Sequence, residues 1–351
     1  MTPEAAYATF ETSGGAQVHR LPLQAFPNFW AYAYVLQKED RNYLIDTGSG
    51  TDTSHTDLMS GLAQAGLQPS DLTHILLTHA HIDHYGGLSK LKPITDAKIG
   101  CHELDVQTVA HHDARLALIG RRLASFLAET GLAKEDADTL LGIYRFTKSL
   151  YRSVPVDFTY NAADEHLPAF GILHLPGHCP GHVAMRVDDV IFCGDMVVNG
   201  VTPHLAPESI NPYGGLDHYL ESLSKFQVWA KDALLILNGH NDVITDLPVQ
   251  IEATRQNIIR RISKSVDALH QPLTIAEISV AIYGEASGYN QLLMIEKAGA
   301  YVEYLYEHGM IEVTNFEEVE QGQPACYRRI REFADSEILP KEKENVLIRP
   351  N

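Results

Sequence analysis

The chain has 351 residues, 45% of them apolar, which is enough for one large core with a buried site and a smaller second unit. Asp and Glu number 45 against 27 Lys and Arg, a formal charge of -18 that disfavours nucleic acid and acidic lipid as partners. The four cysteines (Cys101, Cys179, Cys193, Cys326) form no CxxC pair, no segment has the length of a membrane helix, and the start MTPEAAYATFETSGG is no export leader. A reduced, cytoplasmic setting without membrane or disulfide framework is therefore expected.

Strand-like segments come first, at residues 17–22, 30–36 and 43–45, and the last runs into Asp46-Thr47-Gly48. They read as a meander. Residues 53–65 have helical spacing and stop near Gly66. Residues 73–78 then form an apolar run suited to a buried strand, and its carboxyl end carries Thr-His-Ala-His-Ile-Asp-His. Four side chains able to bind metal, His79, His81, Asp83 and His84, thus fall within six positions. Alternate histidines on an extended chain point the same way, and a turn after them swings Asp83 and His84 toward the same point. Crowded imidazoles repel one another's protonated forms, so hydrogen bonds alone explain such a cluster poorly. Gly86 and Gly87 suit a tight turn into a helix. The Tyr85 hydroxyl is a candidate substrate contact, with packing against the sheet as the alternative.

Residues 105–160 read as a helical insertion carrying Arg115, Arg121, Arg122, Arg145, Arg152, His111 and His112. These either line a pocket or, the commoner role of arginine, solvate helix faces. Strands return at residues 171–175, 183–187, 190–193 and 234–237. Gly-His-Cys-Pro-Gly-His follows the first, Gly194-Asp195 the third and Asn238-Gly239-His240 the fourth, and loops at strand ends are where sites commonly form. Residues 199–217 look like an irregular wall in which His204 is a candidate substrate contact.

Residues 255–335 read as a separate winged-helix-like unit, with helices at 258–269, 275–283 and 292–307 and a hairpin from 310–314 and 325–330. Its third helix sets Glu296, Glu303 and Glu307 against Lys297, a balance that would meet phosphates badly. Covering one side of the main domain or shaping a homodimer is the expected role. Residues 336–351 form a tail, loose or docked.

The His79 to His84 cluster (HxHxDH), a later histidine in PGHCPGH, the aspartate of FCGDM and the histidine of NGHN resemble the metallo-β-lactamase superfamily over residues 18–241. Asp46-Thr47-Gly48 matches its early motif. The pattern looks most like the hydroxyacylglutathione hydrolase-like branch, and the C-terminal extension like the β-lactamase-like protein 2 subgroup. The resemblance implies an α/β fold, a four-layer αββα sandwich over residues 1–250 that carries the insertion. It implies one metal on His79, His81 and His178, another on Asp83, His84 and His240, and Asp195 bridging them. Asp46 would brace the ligands from behind, Asp83 would steer or accept a proton, and His182 would be structural. His74, His102, His166, His174, His204 and His218 match no motif, and Cys179 and Cys193 are expected to pack rather than ligate.

Imidazole and carboxylate ligands suit two zinc ions, with manganese or iron as alternatives. Such a pair, about 3.5–4 Å apart, brings the pKa of bound water toward about 7. The expected function is hydrolysis of a small-molecule ester, thioester or lactone. A phosphodiesterase or ribonuclease is the alternative. An iron oxidoreductase ranks lower, since the flavodiiron type has Glu at the position of His81, as does a nucleic-acid-binding regulator.

Overall fold

The computed structural model describes residues 6–160, 167–199, 201–334 and 337. His166 and all of the 336–351 tail except 337 lie outside the described residues. Strands β1 (Ala8–Glu11), β2 (Gln17–Phe26), β3 (Phe29–Lys38) and β4 (Arg41–Ile45) form an antiparallel meander. Parallel strands β5 (His74–Leu76), β6 (Lys98–Cys101) and β7 (Phe158–Thr159) extend it to a seven-stranded sheet. In the second sheet, β8 (Gly171–His174), β9 (Val183–Val187) and β10 (Val190–Gly194) are antiparallel, and β11 (Leu235–Asn238) lies parallel to β10.

The alternation of side chains along the strands sorts the interior into layers. On β3, Tyr32, Tyr34 and Leu36 face the space between the sheets, whereas Ala33 and Val35 face the opposite side. On β10, Val190 and Phe192 meet that same inter-sheet core, and Ile191 and Cys193 point away from it. Helix α1 (Asp52–Gln64) supplies Leu58 and Leu62 to the outer face of the first sheet. Thr51 caps it by accepting from the Ser54 N–H. The result is a mixed α/β sandwich in four layers, helix, sheet, sheet, helix.

Short helices α2 (Ile82–Tyr85) and α3 (Leu88–Leu91) follow the histidine loop. The insertion holds α4 (Val106–Ala110), α5 (His112–Glu129) and α6 (Lys134–Lys148). Helix α7 (Leu216–Trp229) buries Leu216, Tyr219, Leu223 and Phe226 at i, i+3, i+4 spacing against the second sheet. The sequence reading placed no helix there.

The C-terminal region is helical, with α8 (Leu247–Ala268), α9 (Ile275–Tyr283), α10 (Gly288–Glu307) and α11 (Phe316–Glu320). Strands β12 (Ile311–Val313) and β13 (Tyr327–Arg329) pair antiparallel on either side of α11. Helix α8 begins eleven residues before the expected 258 because Asp246 caps the Val249 N–H and Pro248 occupies the first turn, where no donor is needed. One continuous apolar cluster joins Leu123 and Phe126 of α5, Ile191 of β10, Phe226 of α7, Ile258 of α8 and Tyr301 of α10. The C-terminal helices and the insertion therefore bury their apolar faces in the same core as the second sheet.

Candidate metal centre

The parallel pairing of β4 with β5 and of β10 with β11 brings several carboxyl strand ends to one rim, where the chemistry-bearing loops meet. Hydrogen bonds to backbone carbonyls stitch this rim together: the Val183 N–H donates to Thr78 O, the Tyr32 N–H to Gly239 O, and the Tyr34 hydroxyl to Asn238 O. Three overlapping groups of side chains converge there, His79/His81/His178, His79/His84/Asp195 and Asp83/His84/His240, with the ligand atoms of each group within 4.8 Å of one another. All seven residues singled out in the sequence are thus brought together. Nε2 of His178 lies 3.3 Å from Nε2 of His79, and Nε2 of His84 lies 3.4 Å from Nε2 of His240. Asp195 sits between them, Oδ1 3.4 Å from His84 and Oδ2 3.0 Å from His240 and 3.5 Å from His178.

The outer nitrogens of these rings are held from behind. His84 Nδ1 bonds to Asp46 Oδ2 at 2.9 Å, His178 Nδ1 to His204 O at 2.7 Å and His240 Nδ1 to Trp30 O at 2.8 Å. The Thr78 hydroxyl donates to Asp46 Oδ2, which leaves its lone pair to accept from His79 Nδ1 at 3.0 Å. Each such bond places the proton on Nδ1 and leaves the Nε2 lone pair facing inward, as a metal ligand requires. Asp46 adopts φ 58°, and its Oδ1 accepts from the Thr78 N–H, so one carboxylate joins the Asp-Thr-Gly turn to the histidine loop. At Gly239 any Cβ would run into Asp195 Oδ1 and the His84 ring, so only glycine lets this strand end approach so closely.

The electrostatics fit divalent cations. Burial, with neighbouring imidazoles, drives His79 and His81 well below the usual histidine range, and burial lowers His178 to about 4. Neutral imidazole is the ligating form. Burial opposes ionisation of Asp195, but His240 and His84 hold it well below the usual carboxylate range. Its buried Oδ1 has no hydrogen-bond partner. Asp195 and Asp83 in turn raise His84 and His240 despite their burial, and cations completing the set would take the place of those protons.

His182 is buried behind the cluster and its Nε2 accepts from the Asp195 N–H at 3.1 Å. Tyr85 is buried, its hydroxyl bonded to His112 Nδ1 at 2.8 Å. The His204 ring is paired with Glu296 at 3.0 Å. Tyr85 and His204 both line the cavity above the cluster, but each already has a protein partner.

Asp105 escaped the sequence reading. Its carboxylate accepts from the Ala80 N–H at 2.9 Å and the Gly181 N–H at 3.1 Å, with Cys179 Sγ 3.6 Å away, and so ties the two histidine loops together. Burial raises its pKa to about 6. The only signal was a polar residue just past β6 in Cys-His-Glu-Leu-Asp. All four cysteines are free, and Cys179 and Cys193 are buried.

A model of the metallo-beta-lactamase superfamily matches residues 31–240, more than half of the chain and every residue of the cluster. The chain belongs to the metallo-β-lactamase superfamily. It is 26% identical over 175 residues to a hydroxyacylglutathione hydrolase of Shewanella loihica, covering 50% of this chain and 49% of that protein. It is 25% identical over 228 residues to the probable metallo-hydrolase YqjP of Bacillus subtilis, covering 62% and 69%. The chain spans about half the length of the hydroxyacylglutathione hydrolase. Among solved structures, a metallo-beta-lactamase family protein of Thermus thermophilus aligns with TM-score 0.70 at 22% identity, over 89% of this chain and 98% of its own. A beta-lactamase domain protein of Burkholderia ambifaria aligns with TM-score 0.67 at 19% identity, over 93% and 97%. These two likenesses show the fold, and both extend beyond the span of the family model. The superfamily is one of metallo-hydrolases, and among the described residues no helix is long and apolar enough to cross a membrane.

Proposed function

We propose that this protein is a dinuclear metal-dependent hydrolase of a small ester, thioester or lactone. The observation that carries the reading is the pair of facing triads, His79/His81/His178 and Asp83/His84/His240, with Asp195 between them. Zinc fits the nitrogen and oxygen donor set, with manganese and iron as alternatives. Two divalent cations held there would supply a hydroxide nucleophile at neutral pH and polarise the carbonyl.

The residues of the chain orient and exclude water around that chemistry. Asp83 Oδ2 lies 3.5 Å from His240 Nε2 and 3.7 Å from His84 Nε2 and also lines the cavity, so it is placed to hold a proton on its way to the leaving group. The cavity, about 1400 Å³, is walled by the insertion, residues 201–211 and helix α10, which gives a small molecule room above the cluster. Likeness to a hydroxyacylglutathione hydrolase over half its length supports carbonyl chemistry.

The test is to measure metal content, and turnover of an ester, a thioester, a lactone and a phosphodiester in one buffer. Carbonyl substrates should be cleaved, and His79→Ala or Asp195→Ala should lower the rate by at least about a thousandfold while reducing bound metal. Robust phosphodiester cleavage without carbonyl turnover would overturn the choice of substrate, and full activity in either variant would overturn the ligand assignment.

A further inference from the structure

The cavity above the cluster holds four basic side chains that find no carboxylate. Arg115 of α5, Lys148 at the end of α6, Arg261 of α8 and Lys297 of α10 all line it. Arg115 donates to the Asn211 side-chain oxygen at 2.7 Å and Lys297 to Thr202 O at 2.7 Å. Arg261 donates to Ile282 O at 3.1 Å and lies over the Tyr283 ring. The Lys148 ammonium has the Tyr144 ring 5.9 Å away and no hydrogen-bonded acceptor among the described residues. None of the four forms an ion pair among the described residues.

This is unusual in a chain with a net charge of -18. Several other lysines are paired, Lys38 with Asp188, Lys134 with Asp138, Lys225 with Glu221 and, on the cavity wall itself, Lys90 with Asp52. Nor can the acids of the cavity wall neutralise the four. Asp83 and Asp195 belong to the histidine cluster, Asp105 receives backbone N–H groups, Glu296 is paired with His204, and Asp242 is paired with Arg20. Half-buried cations satisfied only by neutral dipoles leave a positive potential in a low-dielectric wall, which a ligand charge completes. Lys148 shares the cavity wall with His81 and Asp83 of the cluster.

We propose that the substrate carries a small anionic group, a carboxylate or phosphate, bound by Lys148 against a cavity wall made positive by Arg115 and Arg261. The anion then sits on the insertion side of the cavity while the scissile carbonyl lies over the histidine cluster. Its tyrosines, Tyr144, Tyr283 and Tyr289, line the space between and suit a short uncharged connector. The proposal rests on the hydrolase reading for the bond that is cut, but not for the binding.

The test is calorimetric titration of the full-length, metal-containing protein with three unreactive thioethers: (ethylthio)propionate, its neutral amide, and (ethylthio)ethyl phosphate. At least one anion should bind about tenfold or more tightly than the amide, as a hydrogen-bonded charge implies, and the stronger of the two identifies the group. Lys148→Met should remove most of that preference, Arg115→Met part of it, and Lys148→Arg should retain it, which separates charge from folding. Equal binding of acid and amide to the wild type would overturn the proposal. So would an anion preference unchanged in Lys148→Met, since the anion would then be held by the metals. Turnover of the matching acetyl thioesters is read separately. Anion-selective binding without hydrolysis supports this subsite and defeats the hydrolase reading, whereas hydrolysis without anion preference does the reverse.

Discussion

Asp46 accepts from the Thr78 N–H, the Thr78 hydroxyl and His84 Nδ1, so a single buried carboxylate sets two neighbouring imidazoles. Replacing it by asparagine keeps the size but presents an amide N–H to one of these donors. We expect Asp46→Asn to weaken metal binding or activity by about 10- to 100-fold, the usual effect of losing a partner behind a ligand. Metal content after dialysis, with circular dichroism as the control for folding, measures it. The seven cluster residues were legible in the sequence because their types and order are restrictive. Thr78 and Asp105 were not, because a threonine before a histidine and an aspartate after a strand have many ordinary uses, and only the folded loops bring them to their partners.

At the scale of elements, helix α10 grips the irregular wall at three points. Glu296 pairs with the His204 ring, Lys297 donates to Thr202 O, and Glu303 accepts from the Glu208 N–H at 2.9 Å. The same His204 holds His178 through its carbonyl, so the C-terminal region reaches the cluster through two bonds. Glu296→Gln should therefore raise the metal dissociation constant several-fold, less than the roughly 10- to 100-fold loss for a direct partner of a ligand, because it acts through His204. An unchanged metal affinity in competition with a chelating dye would show that the wall holds its shape without the pair.

Lys297 offers a pH readout of the same clamp. Burial, reinforced by Arg261 of α8, lowers it to about 7 against an unfolded value near 10.4. Between these values the unfolded chain binds more protons, so this group makes the fold more stable as pH rises from about 7 toward about 10. Its neighbour Glu296 is engaged by His204. In urea titrations at pH 7 and 9, Lys297→Met should lose that part of the rise, and an identical slope in wild type and variant would contradict it. Acidic residues on α10 argued against a phosphate-facing helix. That two of them, Glu296 and Glu303, clamp a loop was invisible, because His204 and Glu208 lie some ninety residues away in sequence.

For the whole molecule, the cluster ties loops from both sheets to one centre, so occupancy and stability should be coupled. A metal bound only by the folded state stabilises by about 2.7 kcal/mol at a hundred times its dissociation constant. Chelation followed by dialysis should abolish turnover and lower Tm by several degrees, and readdition of zinc, manganese or iron should restore both, with the metal that restores most identifying the preference. A Tm indifferent to chelator would place the metal outside the folding equilibrium.

The sequence alone determined the α/β character, the strands that carry the cluster and the His79, His81, Asp83 and His84 motif, because short-range periodicity and a tightly spaced donor motif are local properties, whereas His178, Asp195 and His240 came from the family resemblance. It missed α7 and the first three turns of α8, whose apolar faces are recognisable only once the second sheet is there to cover them. Tertiary structure alone decided that the insertion and the C-terminal helices share one core and wall one cavity. It also decided that Arg115 turns into that cavity while Arg122 reaches only the Ile210 carbonyl. Those are contacts between segments distant in the chain, set by packing across the sheets, and no local pattern encodes which exposed-looking charge ends up facing the site.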